Sequence, residues 1–469
     1  MHWQPTKQHH ISLHTQIVEW IATRIASGDF PIGMQLPTQR ALAMQFNVNR
    51  STITSALDEL KARGLLEAYV GRGTFVTASP WHTLLPTPNW QQHINDSIHK
   101  PNIDTIQLIN DYEPNEQMIR LGTGELAPSL LPRTALQQSL ASITLDEKLL
   151  NYCEPQGSIA LRQAICAHVE KRGIITTPRN ILVVSGALQA LQLIALGLLQ
   201  RGSIIFQPSA SYLNSIHPFQ SAGMYMRTLD DVTTLTSLPH AAQSLYYAMP
   251  TLHNPSGYTW TDEERKTYYT VCQKLALPIL EDDVYGELSF QPTQPLKAID
   301  TTGHVLYVGS VSKTLSPGLR IGWIIAPEAV ITRLADVKMQ TDYGSSTLSQ
   351  QLVTHWLTSG KYDAHVATLK ETLHVRAQFL HALLLHHFQD LASWEQSTGG
   401  FYIWVRFHEP VIQKSLFLSL LQQNILIHPG YMYELNDFHH IRLSYAYASF
   451  DDLTTGIEQL AKAIKRRTY

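Results

Sequence analysis

The sequence predicts a protein of several domains, with a small helical domain followed by a large α/β domain. Two patterns lead to this prediction. Up to Gly64, apolar side chains recur every three or four positions, which is typical of short helices that pack on one another. From about residue 116, short apolar runs alternate with helical patterns, which is typical of a mostly parallel sheet covered by helices on both faces.

Composition limits the classes of protein to which the chain can belong. Its 469 residues are 44% hydrophobic and 16% charged, so the chain can bury a large core. The net charge of −3 excludes a polybasic coat for nucleic acid, so any contact with DNA must be local to one domain. The apolar stretches are too short to span a bilayer, and we therefore predict a cytoplasmic protein with no membrane partner.

The cysteines exclude a disulfide framework. Cys153, Cys166 and Cys272 are odd in number and lack the CxxC spacing of a zinc site. This usage fits the reducing cytosol, and we predict no metal site.

Residues 1–78 predict three helices and a two-stranded tip, which is the plan of a winged helix-turn-helix. The first helix carries an apolar residue at every fourth position from 13 to 25. The second follows Pro37, and the third starts near Ser51 and ends at Gly64. Leu65–Ala68 and Thr74–Val76 alternate as two short strands. The segment has a net charge of +2, which leaves −5 for the rest of the chain and has the sign that DNA binding needs.

Residues 79–115 are predicted to be a linker. The prolines at positions 80, 86, 88 and 101 prevent long regular structure there. Trp90–Ile98 has the pattern of one amphipathic helix within this linker.

Three stretches of the first domain resemble the GntR family of winged-helix repressors. They are LPTQRALA at 36–43, VNRSTI at 48–53 and GRGTFV at 71–76. The resemblance implies binding to a double-stranded DNA operator, with the third helix in the major groove and the wing at the minor groove or the backbone. The candidate DNA-binding residues are Arg40, Arg50, Ser51, Thr52, Arg72 and Gly73. Ser51 has an alternative interpretation as the N-cap of the third helix.

Residues 116–469 are predicted to form the α/β domain. Helical patterns such as Leu188–Leu199 and Asp262–Leu275 lie between its strand-like runs. These runs are Ile181–Val184, Ser203–Phe206, Leu245–Met249, Pro278–Glu281 and Val305–Val308.

The stretch SVSKTLSPGLRIG at 310–322 resembles the cofactor-lysine segment of fold-type I aminotransferases. The resemblance covers about residues 116–469 and implies a mostly parallel sheet, a smaller α+β subdomain and pyridoxal 5'-phosphate as cofactor. It implies that Lys313 is the catalytic residue and binds the cofactor aldehyde, because a buried lysine becomes a usable amine. It also implies that Ser310 and Arg320 bind the cofactor phosphate.

Other positions match the same family one by one. Ser185, Gly186 and Ala187 follow a strand and open a helix, as a phosphate cradle does. The resemblance assigns Asp282 to the pyridine nitrogen, with Asp283 as the competing acid. The remaining assignments are Tyr212 for stacking on the ring, Asn254 and Tyr285 for its phenolic oxygen, Tyr152 for the phosphate of the other subunit, and Arg442 for the carboxylate of an amino acid. If Tyr152 acts in this way, the site needs a homodimer.

The two halves together resemble the MocR group of GntR regulators, and three functions follow. We favour a transcription regulator that binds pyridoxal phosphate and senses the cofactor, an amino acid or an amine effector. The alternative is a working aminotransferase with a DNA-binding appendage. The third is a sensor of the cofactor alone, which would not need Arg442. The sequence leaves open whether the chain turns over substrate.

Overall fold

A computed structural model describes residues 3–6, 11–69, 72–77, 90–97, 102–147, 149–235 and 243–468. The chain divides into two compact units, residues 1–100 and residues 101–469. Among the described residues, no helix combines the length and the apolar composition that crossing a membrane requires.

The first unit contains three packed helices and a two-stranded hairpin, as the sequence predicts. Its buried apolar residues come from all of these elements and include Ile17, Phe46, Leu57 and Val76. The elements are α1 (Leu13–Ala26), α2 (Gln39–Gln45), α3 (Arg50–Ala62), β1 (Leu66–Tyr69) and β2 (Gly73–Val76), followed by α4 (Trp90–Asp96).

Side-chain caps fix where the helices of the first unit begin. Ser12 accepts a hydrogen bond from the Thr15 backbone N–H at the start of α1, and Thr38 does the same for Ala41 at the start of α2. The N-cap position of α3 is Asn49, so the alternative interpretation of Ser51 as the N-cap is wrong: Ser51 lies in the first turn.

The second unit is the α/β domain. Its helices are α5 (Asp104–Tyr112), α6 (Arg133–Ala141), α7 (Ile159–Glu170), α8 (Ala187–Leu198), α9 (Asp262–Lys274), α10 (Glu328–Thr341), α11 (Thr347–Thr358), α12 (Lys361–Phe388), α13 (Lys414–Leu421) and α14 (Phe450–Thr468). Its strands are β3 (Ile119–Arg120), β4 (Ile181–Val184), β5 (Ile204–Gln207), β6 (Tyr225–Thr228), β7 (Ser244–Ala248), β8 (Ile279–Asp282), β9 (Val305–Ser310), β10 (Gly322–Ile325), β11 (Ala392–Trp394), β12 (Tyr402–Phe407), β13 (Ile425–Leu426), β14 (His428–Pro429) and β15 (His440–Ser444).

The main sheet has seven strands in the order β4-β10-β9-β8-β7-β5-β6. Only β10 runs antiparallel to its neighbours, β4 and β9, so the sheet is mostly parallel, as the sequence predicts. Strands β4, β7, β8, β9 and β10 are buried along their whole length because helices cover both faces. A smaller sheet, β11-β12-β15-β14, belongs to the α+β subdomain.

The structure groups residues 101–115 with the second unit rather than with the predicted linker 79–115. Helix α5 lies in this stretch, and its Ile106 and Ile109 are buried in the core of the α/β domain. The prolines at 80, 86, 88 and 101 precede α5 and Pro114 follows it, so none of them interrupts it.

Candidate functional site

A cavity of about 330 Å³ lies at the carboxyl ends of the central strands. Ser185, Met249, Asp282 and Ser310 stand at or just after the ends of β4, β7, β8 and β9. Ligand sites in α/β sheets form at this edge, and the volume is within the range of small-molecule sites. Nine of the residues that the sequence predicts for the cofactor or the effector line it: Ala187, Tyr212, Asn254, Asp282, Tyr285, Ser310, Lys313, Arg320 and Arg442.

Lys313 follows β9 and faces this cavity. Its Nζ donates a hydrogen bond of 2.7 Å to the backbone carbonyl of Gly124. Burial lowers the pKa of Lys313 to about 8, against the opposing effect of Glu125. A larger fraction of the side chain is therefore the neutral, nucleophilic amine near neutral pH.

Asp282, the last residue of β8, and Asp283, the residue after it, have different surroundings. Asp282 lines the cavity and accepts a hydrogen bond of 2.9 Å from the Tyr247 hydroxyl at Oδ2. Its Oδ1 is buried and has no partner among the described residues. Asp283 instead pairs with Arg172 at 2.5 Å and accepts from the Tyr307 hydroxyl. Asp282 is therefore the acid that is available to a ligand, and Asp283 has a structural ion pair.

The start of α8 lines one end of the cavity, while Ser185 and Gly186, in the turn before it, lie outside the lining residues. Gly186 has φ +88°, and a Cβ built at that position would lie 2.5 Å from the Arg320 guanidinium. Arg320 donates to the carbonyl of Ser185 at 2.7 Å. The glycine thus lets a guanidinium lie directly against a helix N-terminus, an arrangement suited to an anion.

Arg442 lies on β15 and is buried, with 4% of its surface exposed. Its guanidinium donates to Asn254 Oδ1 at 2.7 Å and to the carbonyl of Gly122 at 2.7 Å. It also lies 2.9 Å from His428 Nδ1, and its Nε has no partner among the described residues. No carboxylate of the described residues forms an ion pair with it.

Three predicted cofactor residues have contacts that the sequence does not indicate. Tyr285 shares a hydrogen bond of 2.8 Å with Tyr402. The hydroxyl of Ser310 donates to the carbonyl of Ile321 at 3.0 Å, inside its own loop. Tyr152 is 76% exposed and lies outside the residues that line this chain's cavity.

Sequence reasoning missed several residues of the site. Tyr402 and Ser312 line the cavity. Tyr247 contacts Asp282, and His428 contacts Arg442, from positions outside the lining. The Gly-Gly pair before Tyr402 marks a tight turn at the start of β12 and is the one local signal for that residue.

In the first unit, the predicted DNA-binding residues lie on the surface. Arg40 is in the first turn of α2, Arg50 and Ser51 begin α3, and all three are exposed. Thr52 is half-buried, while Arg72 and Gly73 are exposed at the wing. Gln35 donates to the Arg72 carbonyl at 2.6 Å and so fixes the base of the wing. Gly71, also part of the predicted wing, lies outside the described residues.

The six basic residues that the structure describes in this unit fall into two groups. Arg24, Lys61 and Arg63 form ion pairs with acids of the same unit. Arg40, Arg50 and Arg72 form none with the residues that the structure describes. The unpaired group is the one that the sequence predicts for DNA.

Comparison with known proteins gives the same two halves. Residues 13–76 match the family described as bacterial regulatory proteins of the gntR family, and residues 116–460 match aminotransferase class I and II. The chain is 44% identical to the HTH-type transcriptional regulator YisV of Bacillus subtilis, over 99% of this chain and 98% of that protein. It is 34% identical to the HTH-type transcriptional regulator NorG of Staphylococcus aureus, over 92% of this chain and 100% of that protein.

Among solved structures, the chain is similar to the kynurenine aminotransferase of Pyrococcus horikoshii. The TM-score is 0.73 and the identity 25%, over 79% of this chain and 96% of that one. The aminotransferase fold, with the orphaned carboxylate oxygen of Asp282 and the cradle at Gly186, fits pyridoxal phosphate as the cofactor. The chain therefore belongs to the GntR family of transcription regulators, as a member of the MocR type, in which a DNA-binding winged helix is joined to an aminotransferase-like domain.

Proposed function

We propose that the aminotransferase-like domain binds pyridoxal phosphate together with an amino acid, and that this binding regulates the affinity of the winged helix for its DNA operator. The observation that carries the proposal is the presence of Arg442 in the same cavity as Lys313. One group suits an aldehyde and the other suits a carboxylate, so the cavity can receive both a cofactor and an amino acid.

In this proposal, different residues of the site hold different parts of the cofactor. Arg320, Ser310 and the turn Ser185–Ala187 hold its phosphate, and Asp282 Oδ1 accepts from its pyridine nitrogen. Asn254 and Tyr285 bind its phenolic oxygen, Tyr212 stacks on its ring, and Lys313 supplies the amine that binds its aldehyde. When bound, the cofactor supplies an aldehyde that captures amines and a ring that withdraws electrons. The Pyrococcus kynurenine aminotransferase, of similar fold, was solved with PMP and kynurenine.

The environment of Arg442 supports the proposal that the effector carries a carboxylate. The groups that now accept from its guanidinium are neutral: an amide, a backbone carbonyl and a histidine. Burial and Arg442 hold the pKa of His428 well below its ordinary value, so His428 stays neutral. A buried cation without a paired anion is costly, and a bidentate carboxylate would compensate that charge.

Tyr152 supports a homodimer. Tyr152 is 76% exposed and does not line the cavity of its own chain. Its ring lies against that of Tyr343, with ring centroids 5.1 Å apart. Leu145, Leu150 and Tyr343 are also exposed. Exposed apolar side chains close together on a surface are typical of an interface, and we propose that Tyr152 reaches the cofactor phosphate of the partner subunit.

Spectroscopic titration tests the effector site. Holoprotein is titrated with the twenty amino acids while the absorbance of the bound cofactor is followed. We expect at least one amino acid to change the spectrum, and Arg442→Ala to weaken that binding at least tenfold. Arg406→Ala, an exposed arginine on the neighbouring strand β12, is the matched control and should bind like the wild type. Equal binding by wild type and Arg442→Ala would reject Arg442 as the carboxylate site.

A second candidate function is transamination, and the lowered pKa of Lys313 favours it. A free amine beside the α-carbon of a bound amino acid could accept its proton. Formation of a keto acid from the amino acid, measured over several turnovers with a second keto acid as acceptor, would establish an enzyme. Regulation that survives in Arg442→Ala would instead favour the third candidate, a sensor of the cofactor alone.

A further inference from the structure

Among the described residues, one side chain donates a hydrogen bond to the carboxylate of Asp282. The hydroxyl of Tyr247 donates to Oδ2 at 2.9 Å, and Oδ1 has no partner although Asp282 lines the cavity. Tyr247 is completely buried and does not line the cavity itself. Its hydroxyl therefore does not contact a ligand of the cavity directly, and its one hydrogen bond to a lining residue is the one to Asp282 among the described residues.

We propose that Tyr247 is a positioning residue, which holds the carboxylate of Asp282 ionised and turned so that Oδ1 meets the pyridine nitrogen of the cofactor. The inference rests on the proposed cofactor role of Asp282 and adds a residue that the resemblance does not assign.

The sheet fixes the geometry of this contact. Strands β7 and β8 are parallel neighbours, and Tyr247 is paired with Leu280. Residue 280 and residue 282 point to the same face of the sheet because side chains alternate along a strand. Tyr247 and Asp282 thus share one face, while Tyr246 points to the other and lies against Tyr268.

The hydrogen bond from Tyr247 affects the ionisation of Asp282 because the carboxylate is buried. Burial raises the pKa of Asp282 to about 6, and Asp283 adds to the rise, while Tyr247, the backbone N–H of Val284 and Lys313 oppose it. Tyr212, which also lines the cavity, is a further titratable group that interacts with Asp282. Asp283 is itself compensated by Arg172. Without the Tyr247 hydroxyl, the buried carboxylate would lose its side-chain donor, and a larger fraction of Asp282 would be the neutral acid at pH 7.

Tyr247→Phe tests the inference because it removes the hydroxyl and keeps the ring. Tyr246→Phe is the matched control, since it changes the neighbouring buried tyrosine on the opposite face. Apoprotein of each variant is titrated with pyridoxal phosphate, and the dissociation constant is measured from the absorbance; circular dichroism verifies that each is folded. We expect Tyr247→Phe to bind roughly tenfold more weakly, the usual cost of losing a hydrogen bond to a charged group. Tyr246→Phe should bind like the wild type.

The pH dependence separates a positioning role from a merely structural one. Both proteins keep Lys313 and bind the same cofactor, so the ratio of the two dissociation constants reports the change at Asp282 together with its electrostatic effect on Lys313. We expect the dissociation constant of Tyr247→Phe divided by that of the wild type to approach its maximum below about pH 6, where Asp282 is largely protonated in both proteins, and to fall in alkaline buffer, where both are ionised. A ratio that stays constant with pH would overturn the inference.

A double variant gives the sharpest test. If Tyr247 acts through Asp282, then adding Tyr247→Phe to Asp282→Asn should change cofactor affinity no further. Two results would refute the positioning role and leave the proposed function intact. In one, Tyr247→Phe weakens cofactor binding as much in the Asp282→Asn background as in the wild type. In the other, Tyr247→Phe binds the cofactor as tightly as Tyr246→Phe does. Wild-type protein that takes up no cofactor would refute the proposed function itself.

Discussion

At the scale of single residues, the site depends on one amine whose protonation is set by burial. The interior around Lys313 disfavours the ammonium form and lowers its pKa to about 8. The neutral form attacks an aldehyde, and the protonated form does not. The lowered pKa therefore determines the pH range in which the apoprotein can capture its cofactor.

We expect the rate of cofactor capture by the apoprotein to rise with pH and to level off above about pH 8. Below that pH the rate should fall about tenfold per pH unit, because the fraction of neutral amine falls by that factor. Stopped-flow absorbance after mixing apoprotein with pyridoxal phosphate measures it. Lys313→Ala is the control and should show no covalent band at any pH. A rate that does not change between pH 6 and pH 8 would contradict the assignment of the amine.

Arg50 is the residue whose removal should weaken DNA binding most. It is exposed at the start of α3 and has no acidic partner among the described residues. Arg50→Ala should reduce affinity for a selected DNA fragment by about 1–3 kcal/mol if the side chain reads a base. Fluorescence anisotropy at fixed salt measures the change.

Arg63→Ala is the control for Arg50→Ala. Its guanidinium is paired with Glu19 and Glu59, so it should affect DNA binding little. Equal losses in the two variants would indicate a general charge effect and not a contact by Arg50.

The sequence, through its resemblance to the aminotransferases, predicted nine of the residues that line the cavity, because each stands near a strand end or in a linked motif. Lys313 and Arg320 belong to one such motif, and Asp282 ends a short buried run. The roles of Tyr247 and His428 could not be predicted from the sequence. Their roles depend on which strands become neighbours and on which face each side chain lies, and neither can be read from local sequence.

At the scale of elements, the turn between β4 and α8 is where we propose that the cofactor phosphate binds. Gly186 adopts φ +88° and ψ 164°, a conformation that other residues adopt only at a cost. The same glycine leaves room for Arg320 beside the helix N-terminus.

Gly186→Ala should therefore weaken cofactor binding as well as stability. The strained backbone costs about 1–3 kcal/mol, and the new Cβ displaces the Arg320 guanidinium. Gly202→Ala is the matched control, because φ is +86° there and nothing lies within 4 Å of the new Cβ. Calorimetry should show lower stability for both variants, and absorbance titration should show weaker cofactor binding for Gly186→Ala alone. Unchanged cofactor affinity in Gly186→Ala would contradict the phosphate cradle.

The elements themselves were largely predictable from the sequence. The period of the apolar residues indicated α8 and α9 to within one residue at each end, and the strand-like runs of the main sheet to within two. Helix α5 was missed because the prolines around it indicate a linker, while its buried isoleucines become visible only when the core of the α/β domain is known.

At the scale of the whole molecule, we propose that two binding sites in one chain affect each other. An effector can regulate DNA binding only if it binds two states of the protein with different affinities. By linkage, the factor by which an amino acid changes the affinity for DNA equals the factor by which DNA changes the affinity for the amino acid. Both factors can be measured on the same holoprotein.

The most direct test is the affinity of the holoprotein for DNA, on a fragment selected from a random pool, with and without the amino acid that alters the cofactor spectrum. We expect the affinity for DNA to change over the same range of amino-acid concentration as the cofactor spectrum. We also expect DNA to change the affinity for the amino acid by the factor by which the amino acid changes the affinity for DNA. Arg442→Ala should lose both effects and keep its affinity for DNA. Saturation of the cavity by the amino acid with no change in DNA affinity would contradict the account.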